Sequence, residues 1–155
     1  MADLLKVLGP DDVTLGCGPS DMESAIRMVG QKLVDRGAVD PEYVEGMLQR
    51  ERTVSTYLGN GVALPHGVLE SKPFIRHTAI VIAQFPGGVD WGAGTAHLVV
   101  GLAAIGDDHV AVLSQLAEIL QDEELCEQMW VTDDVGFIVD RLTAEPEDDE
   151  DEDEE

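Results

Sequence analysis

Positive charge is scarce in this sequence. Its 155 residues include nine lysines and arginines against 32 aspartates and glutamates, which gives a formal net charge of −23. Nucleic acids and anionic membranes are poor candidate partners because both require a basic surface. The acids are densest over 144–155, which we expect to be a disordered tail because like charges repel and apolar residues are almost lacking there.

Cysteine and long apolar segments are also rare. Cys17 and Cys126 stand far apart and outside any C-x-x-C pattern, so neither a disulfide framework nor a zinc site is indicated. No stretch approaches the ~20 apolar residues that a membrane helix needs, and the first ten residues lack the basic region of a signal peptide. We therefore expect one domain over 1–143 in the cytoplasm. The acid excess is typical of a protein from a high-salt cytoplasm, which is a hypothesis about its source.

Helical spacing of apolar residues predicts five helices. The first follows Ser20 and Glu23, whose spacing is that of a capping box, and ends at Gly37. Asp40 and Pro41 predict the start of the second, which ends near 49–52. The remaining three are predicted at about 109–120, capped by residues 106–108, and at 123–130 and 134–142.

Buried strands alternate with these helices. Apolar runs without helical period predict strands at 62–64, 78–85 and 96–105, with a weaker candidate at 12–15. The sequence Pro86-Gly87-Gly88 is predicted to end the second of these. Alternation of this kind indicates a layered α/β domain.

The most informative stretch is 55–67, with the sequence STYLGNGVALPHG. Gly59, Asn60 and Gly61 can adopt positive φ, so the chain can reverse there. Pro65 offers no N–H to a sheet, which predicts that the ladder stops just before His66 and leaves an exposed imidazole at a strand end. On this pattern alone, a surface-turn histidine without a function is an equal alternative.

These residues also resemble a known family. Together with Arg50-Glu51 upstream and Asp107-Asp108-His109 downstream, they are similar to the enzyme IIA domain of the mannitol/fructose class of the bacterial phosphoenolpyruvate-dependent sugar phosphotransferase system. The resemblance runs from about Leu5 to about Leu142 and is closer to the mannitol type. It implies a small mixed sheet of about five strands with helices on both faces.

The resemblance also implies a site and a reaction. His66 would accept a phosphoryl group from HPr at Nε2 and pass it to a cysteine of enzyme IIB, with no metal or cofactor. Arg50 would hold the phosphoryl oxygens, because its planar fork matches them, and His109 would face the phosphorylated ring. The alternatives are a solvated charge at the helix end for Arg50 and a solvated histidine at the helix start for His109.

Two other functions stay open on the sequence. A regulatory enzyme IIA of the nitrogen type would use the same histidine to switch contacts with other proteins, and an acidic scaffold would not use it at all. His77 and His97 do not match the motif and are interpreted as structural, and no nucleotide-binding motif is present.

Overall fold

The computed structural model describes residues 7–106 and 108–143. Asp107, which belongs to the predicted helix cap, and the tail 144–155, which is predicted to be disordered, lie outside the described residues. In the described part of the chain, no helix is both long and apolar enough to cross a membrane.

Within residues 7–106 and 108–143, five α-helices form, each close to where the apolar periodicity predicted one. Two short 3₁₀ helices, Pro10–Asp12 and Leu69–Phe74, accompany them. The α-helices are α1 Met22–Asp35, α2 Glu42–Thr53, α3 Asp108–Ile119, α4 Glu123–Val131 and α5 Val135–Thr143.

In the part of the chain that the structure describes, five strands form one mixed sheet in the order β1-β4-β5-β3-β2. The β1–β4 and β3–β5 pairs are parallel, whereas β2–β3 and β4–β5 are antiparallel. The strands are β1 Val13–Thr14, β2 Tyr57–Gly59, β3 Val62–Ala63, β4 Ala79–Asp90 and β5 Thr95–Ala103. The predicted α/β class and the mixed sheet of about five strands are confirmed.

Alternate residues of the sheet belong to two separate cores, as the pleat requires. Val81 of β4 is buried in a cluster with Val29 of α1 and Met47 of α2. Its neighbour Ile82 is buried in a second cluster, together with Leu116 of α3 and residues of α4 and α5. Helices therefore cover both faces of the sheet, as predicted.

The predicted caps of α1 and α2 are wrong. The residue that caps α1 is Asp21, whose Oδ1 accepts a 2.7 Å hydrogen bond from the Ser24 N–H, and not Ser20. Both residues carry a suitable oxygen, so the pattern alone could not choose between them. The carboxylate of Asp40 pairs with Arg76 at 2.8 Å, and no side chain caps α2.

The prediction that the strand over 78–85 ends at Pro86-Gly87-Gly88 is also wrong. β4 continues to Asp90 through an irregularity between Gln84 and Val89, after which Val89 pairs with Ala96 of β5. A bulge tolerates proline because the ladder does not need its missing N–H there. The two strands therefore form one long antiparallel hairpin.

Candidate functional site

The segment after β2 carries His66 to the end of a short strand in the sheet. Gly59, Asn60 and Gly61 all have positive φ, at 113°, 53° and 75°, which confirms the predicted turn. β3 then pairs in parallel with β5, and the ladder ends in an isolated bridge between His66 and Leu102. The imidazole is thus placed at a strand end, as the sequence predicted.

One nitrogen of the His66 ring is held by the backbone. Nδ1 lies 2.7 Å from the carbonyl oxygen of Leu64. A carbonyl can only accept a hydrogen bond, so Nδ1 carries the proton of the neutral ring and Nε2 keeps its lone pair. This tautomer makes Nε2 the nucleophilic atom.

The prediction of an exposed ring is wrong. Only 9% of the surface of His66 is accessible. The side chain turns back toward the Leu64 carbonyl and packs against the imidazole of His109. Both contacts depend on three-dimensional packing that the local pattern could not reveal.

His109 lies beside His66, as the family resemblance implied. The two ring centroids are 5.1 Å apart and the ring planes meet at 63°, an edge-to-face arrangement. His109 lies in the first turn of α3 and is half-buried. Unpaired N–H groups at a helix start favour an anion, so a negative group bound between the two rings would be stabilised.

The surroundings favour the neutral form of both rings. Burial is the main cause that lowers the pKa of His66. The hydrogen bond to the Leu64 carbonyl opposes it in part, the positive charge of Arg50 lowers the pKa further, and Glu51 has the smallest effect, which raises it. Burial also lowers the pKa of His109, as do the charges of His66, Lys72 and Arg50. Both rings are therefore unprotonated at neutral pH.

Two cations act on this pair. Arg50 lies in the last turn of α2, is half-buried and donates a 2.5 Å hydrogen bond from a guanidinium nitrogen to the carbonyl of Val54. Lys72, which the sequence analysis missed, lies exposed on the second 3₁₀ helix. With only three lysines in the chain, enumerating every cation could have drawn attention to it.

A buried carboxylate fixes the end of α2 next to Arg50. Glu51 is 8% exposed and accepts hydrogen bonds from the N–H and hydroxyl of Thr56 and from the indole of Trp91, at 2.8, 2.5 and 2.9 Å. Buried carboxylates require such partners. The network ties the helix that carries Arg50 to the start of the segment that leads to His66, and no sequence pattern predicted it.

The loop before His109 is fixed by a second network. Asp108 was predicted to cap α3, but it lies within the helix and its carboxylate accepts a 2.8 Å hydrogen bond from the Thr78 hydroxyl. That hydroxyl accepts a 3.0 Å bond from the N–H of Ile105. The start of α3 is thereby attached to the segment that enters β4.

The other candidate residues lie outside this site. His97 stacks on Trp130, with ring centroids 4.3 Å apart, and His77 is exposed. Cys126 is buried and Cys17 is partly buried, and both are free. Across residues 7–106 and 108–143, no cluster of histidine, cysteine and acidic side chains could hold a metal ion.

The histidine pair should make stability depend on pH. The folded state lowers the pKa of both rings, so below about pH 6.5 the unfolded chain binds more protons than the folded one. The contribution of the two rings to stability is present in full when the pH lies above their pKa in the unfolded chain. It is lost as the pH falls toward their lower pKa in the folded protein. We expect the free energy of unfolding, measured with urea, to decrease from about pH 7.5 to about pH 5.5.

A His66→Gln/His109→Gln double variant should lose less stability over this interval than the wild type. His77→Gln, which changes an exposed histidine, serves as the control and should lose as much as the wild type. Equal losses in the wild type and the double variant would contradict the assignment of two neutral rings.

Fold and site together define a class of protein. A mixed sheet lies between two helical layers, and at the end of β3 two neighbouring imidazoles are held unprotonated, one with its Nε2 lone pair free. Such a domain is an α/β protein with a candidate site built on a pair of neighbouring histidines.

The chain belongs to the family described as "Phosphoenolpyruvate-dependent sugar phosphotransferase system, EIIA 2", which matches residues 6–142. It is 40% identical over 146 residues to the mannitol-specific EIICBA component of Escherichia coli K12. That match covers 92% of this chain but only 23% of the relative. The family predicted from the sequence around His66 is thereby confirmed.

Solved structures agree with this assignment. The crystal structure of IIA mannitol from Escherichia coli matches with a TM-score of 0.82 and 39% identity, covering 87% of this chain and 98% of that one. The complex of enzyme IIA mannitol with phosphorylated enzyme IIB mannitol from the same organism matches with a TM-score of 0.84 and 38% identity, covering 89% and 98%. The chain spans about a fifth of the length of the curated mannitol relatives.

Proposed function

We propose that this chain is a phosphocarrier of the sugar phosphotransferase system, accepting a phosphoryl group on His66 and passing it to a cysteine of an enzyme IIB. The observation that carries the proposal is the pair of neighbouring rings, His66 buried and His109 half-buried, in which Leu64 fixes the His66 proton on Nδ1 and leaves Nε2 free. An attacking nitrogen with a free lone pair is what nucleophilic catalysis by histidine requires.

The proposed step conserves its protons. The lone pair of His66 Nε2 forms a bond to phosphorus while the phosphorus–nitrogen bond of the phosphohistidine of HPr breaks, and its electron pair returns to the donor imidazole. The proton stays on Nδ1, hydrogen-bonded to the Leu64 carbonyl, throughout, so His66 needs no general base. In the second step a cysteine thiolate of enzyme IIB attacks the same phosphorus, and Nε2 is the leaving group.

Arg50 and His109 supply the electrostatic part of the proposal. Phosphoryl transfer depends mainly on positioning and on stabilising charge over the equatorial oxygens. The Arg50 guanidinium, whose charge acts on both rings, and His109, whose ring faces His66, are the groups that we assign to this role. Uptake of mannitol follows as the proposed physiological setting, since the mannitol-specific relatives are about 40% identical.

Reconstitution tests this function. The chain is incubated with phosphoenolpyruvate, enzyme I and HPr, at low and at high salt, and its intact mass is measured. We expect the gain of one acid-labile phosphoryl group, which requires HPr and is lost to the cysteine when enzyme IIB is added. A chain that stays unmodified while HPr itself is phosphorylated would refute the proposal.

The same experiment separates the regulatory alternative. A nitrogen-type enzyme IIA would also accept the phosphoryl group on His66, but it would not deliver it to an enzyme IIB of the mannitol or fructose type. Retention of the group in the presence of such an enzyme IIB would therefore favour the regulatory function.

A further inference from the structure

A single buried hydroxyl links α2 to the strand end that carries His66. Tyr43, in the first turn of α2, is only 3% exposed. Its hydroxyl donates a 2.8 Å hydrogen bond to the carbonyl of Leu102 and accepts a 2.8 Å bond from the N–H of Gly67. Leu102 is the residue opposite His66 in the sheet, and Gly67 is the next residue along the chain.

The Tyr43 hydroxyl lies at the last rung of the parallel ladder. In a parallel pair, Leu102 makes two backbone hydrogen bonds to the facing strand, here called rungs, one on each side of the residue opposite it, which is His66. The first is the 3.0 Å bond from the Leu102 N–H to the Pro65 carbonyl. At the second, the hydroxyl stands between the Gly67 N–H and the Leu102 carbonyl and bonds to both. His66 therefore lies between one backbone rung and one rung completed by a side chain of α2.

Close packing at Gly67 makes this arrangement specific. A Cβ at this position would lie 2.2 Å from the Ser71 hydroxyl oxygen and 2.5 Å from a ring carbon of Tyr43. Only a residue without a side chain allows the backbone to approach the tyrosine so closely. The glycine after the histidine thus serves the contact with Tyr43.

The same helix carries the cation of the site. Tyr43 and Arg50 lie about two turns apart on one face of α2, a separation of about 10 Å along the helix axis. Tyr43 anchors the first turn of α2 to Gly67, next to His66 in the chain, and to Leu102, opposite His66 in the sheet, and Arg50 acts from the last turn of the helix. A displacement of α2 would therefore move the guanidinium relative to Nε2.

We propose that Tyr43 is a positioning residue for phosphoryl transfer, because its hydroxyl sets the placement of α2, and hence of Arg50, against the segment that carries His66. The inference rests on the proposed function, since it concerns the rate of that transfer. Small misplacements of reacting groups lower the reaction rate by large factors, so the removal of one positioning hydroxyl should lower it measurably.

The chain contains a matched control. Tyr57, the other tyrosine, also accepts a hydrogen bond from a glycine N–H, that of Gly61 at 3.2 Å, and donates one to a carbonyl, that of Thr95 at 3.3 Å. These contacts lie at the end of β3 remote from His66. Tyr57→Phe therefore removes the same kind of bridge without touching the histidine pair.

The test compares Tyr43→Phe with Tyr57→Phe and the wild type. The rate of phosphoryl uptake from phosphorylated HPr is measured per folded molecule, and the His66 tautomer is followed by heteronuclear NMR. For Tyr43→Phe we expect kcat to fall about tenfold with KM for HPr unchanged. We also expect His66 to become a mixture of tautomers, because the backbone that directs Nδ1 to the Leu64 carbonyl loses the link between Gly67 and Leu102. Tyr57→Phe should keep the wild-type kcat and the single tautomer.

A Tyr43→Phe variant that is folded, with wild-type kcat and an unchanged His66 tautomer, would overturn the inference. If that variant does not fold, amide exchange of Gly67 in the wild type decides, because an unprotected rate would mean that the hydroxyl rung does not exist. If the wild type accepts no phosphoryl group, the proposed function fails by itself, and the tautomer comparison still tells whether Tyr43 positions the ring.

Discussion

A His66→Gln variant should take up no phosphoryl group from phosphorylated HPr, a loss of at least about a thousandfold in rate. Glutamine approximates the volume of the ring and avoids a large cavity at this buried position, but its amide nitrogen has no free lone pair to attack phosphorus. The loss is expected to be complete because the proposal gives the nucleophilic role to one atom, Nε2. Intact mass after incubation with phosphoenolpyruvate, enzyme I and HPr measures it.

His77→Gln is the matched control, since it removes an exposed histidine outside the site and should be phosphorylated like the wild type. Circular dichroism would establish that both variants are folded. An acid-labile phosphoryl group that persists in His66→Gln would show that another residue, with His109 the first candidate, is the acceptor.

An Arg50→Gln variant should stay folded and accept the phosphoryl group roughly a hundredfold more slowly, the usual cost of removing one donor that stabilises developing charge. Three arginines of the described residues, Arg27, Arg36 and Arg76, are paired with carboxylates. Arg50 instead makes its hydrogen bond to a neutral carbonyl, so its positive charge is available to an incoming phosphoryl group.

Arg52→Gln is the control for Arg50→Gln, because this arginine lies exposed in the same turn of α2. It removes the same charge from the chain and so corrects for any general effect on association with HPr. Rapid-quench measurements at saturating HPr would compare the two. Equal rates in Arg50→Gln and Arg52→Gln would remove Arg50 from the mechanism.

The position of His66 at a strand end could be predicted because its causes are local. Positive φ at Asn60 and its flanking glycines, and the missing N–H of Pro65, act within a few residues of the chain. The same holds for the helices, where apolar spacing alone gave each location to within a few residues. The mixed topology was not a local inference and came only through the family resemblance.

What could not be predicted depends on residues far apart in the chain. The burial of His66 results from packing against His109, and the last rung of its ladder is provided by Tyr43. A tyrosine at this point of an amphipathic helix is indistinguishable from any other core residue until its hydroxyl is seen. The prediction of the α1 cap failed for a local reason, since Ser20 and Asp21 are adjacent and equally suited to cap a helix.

The short strand before His66 has a mechanical consequence. Val62 is buried in one of the two hydrophobic cores and Ala63 in the other, and β3 lies between β5 and β2 in the sheet. The segment therefore cannot detach by itself, because its release opens both cores at once. Functional residues are often presented by loops that open locally, but opening here would expose buried side chains of both cores. Under the proposed function, we therefore expect the histidine to meet its partners on a preformed surface, with any adjustment of shape during docking made by the partner.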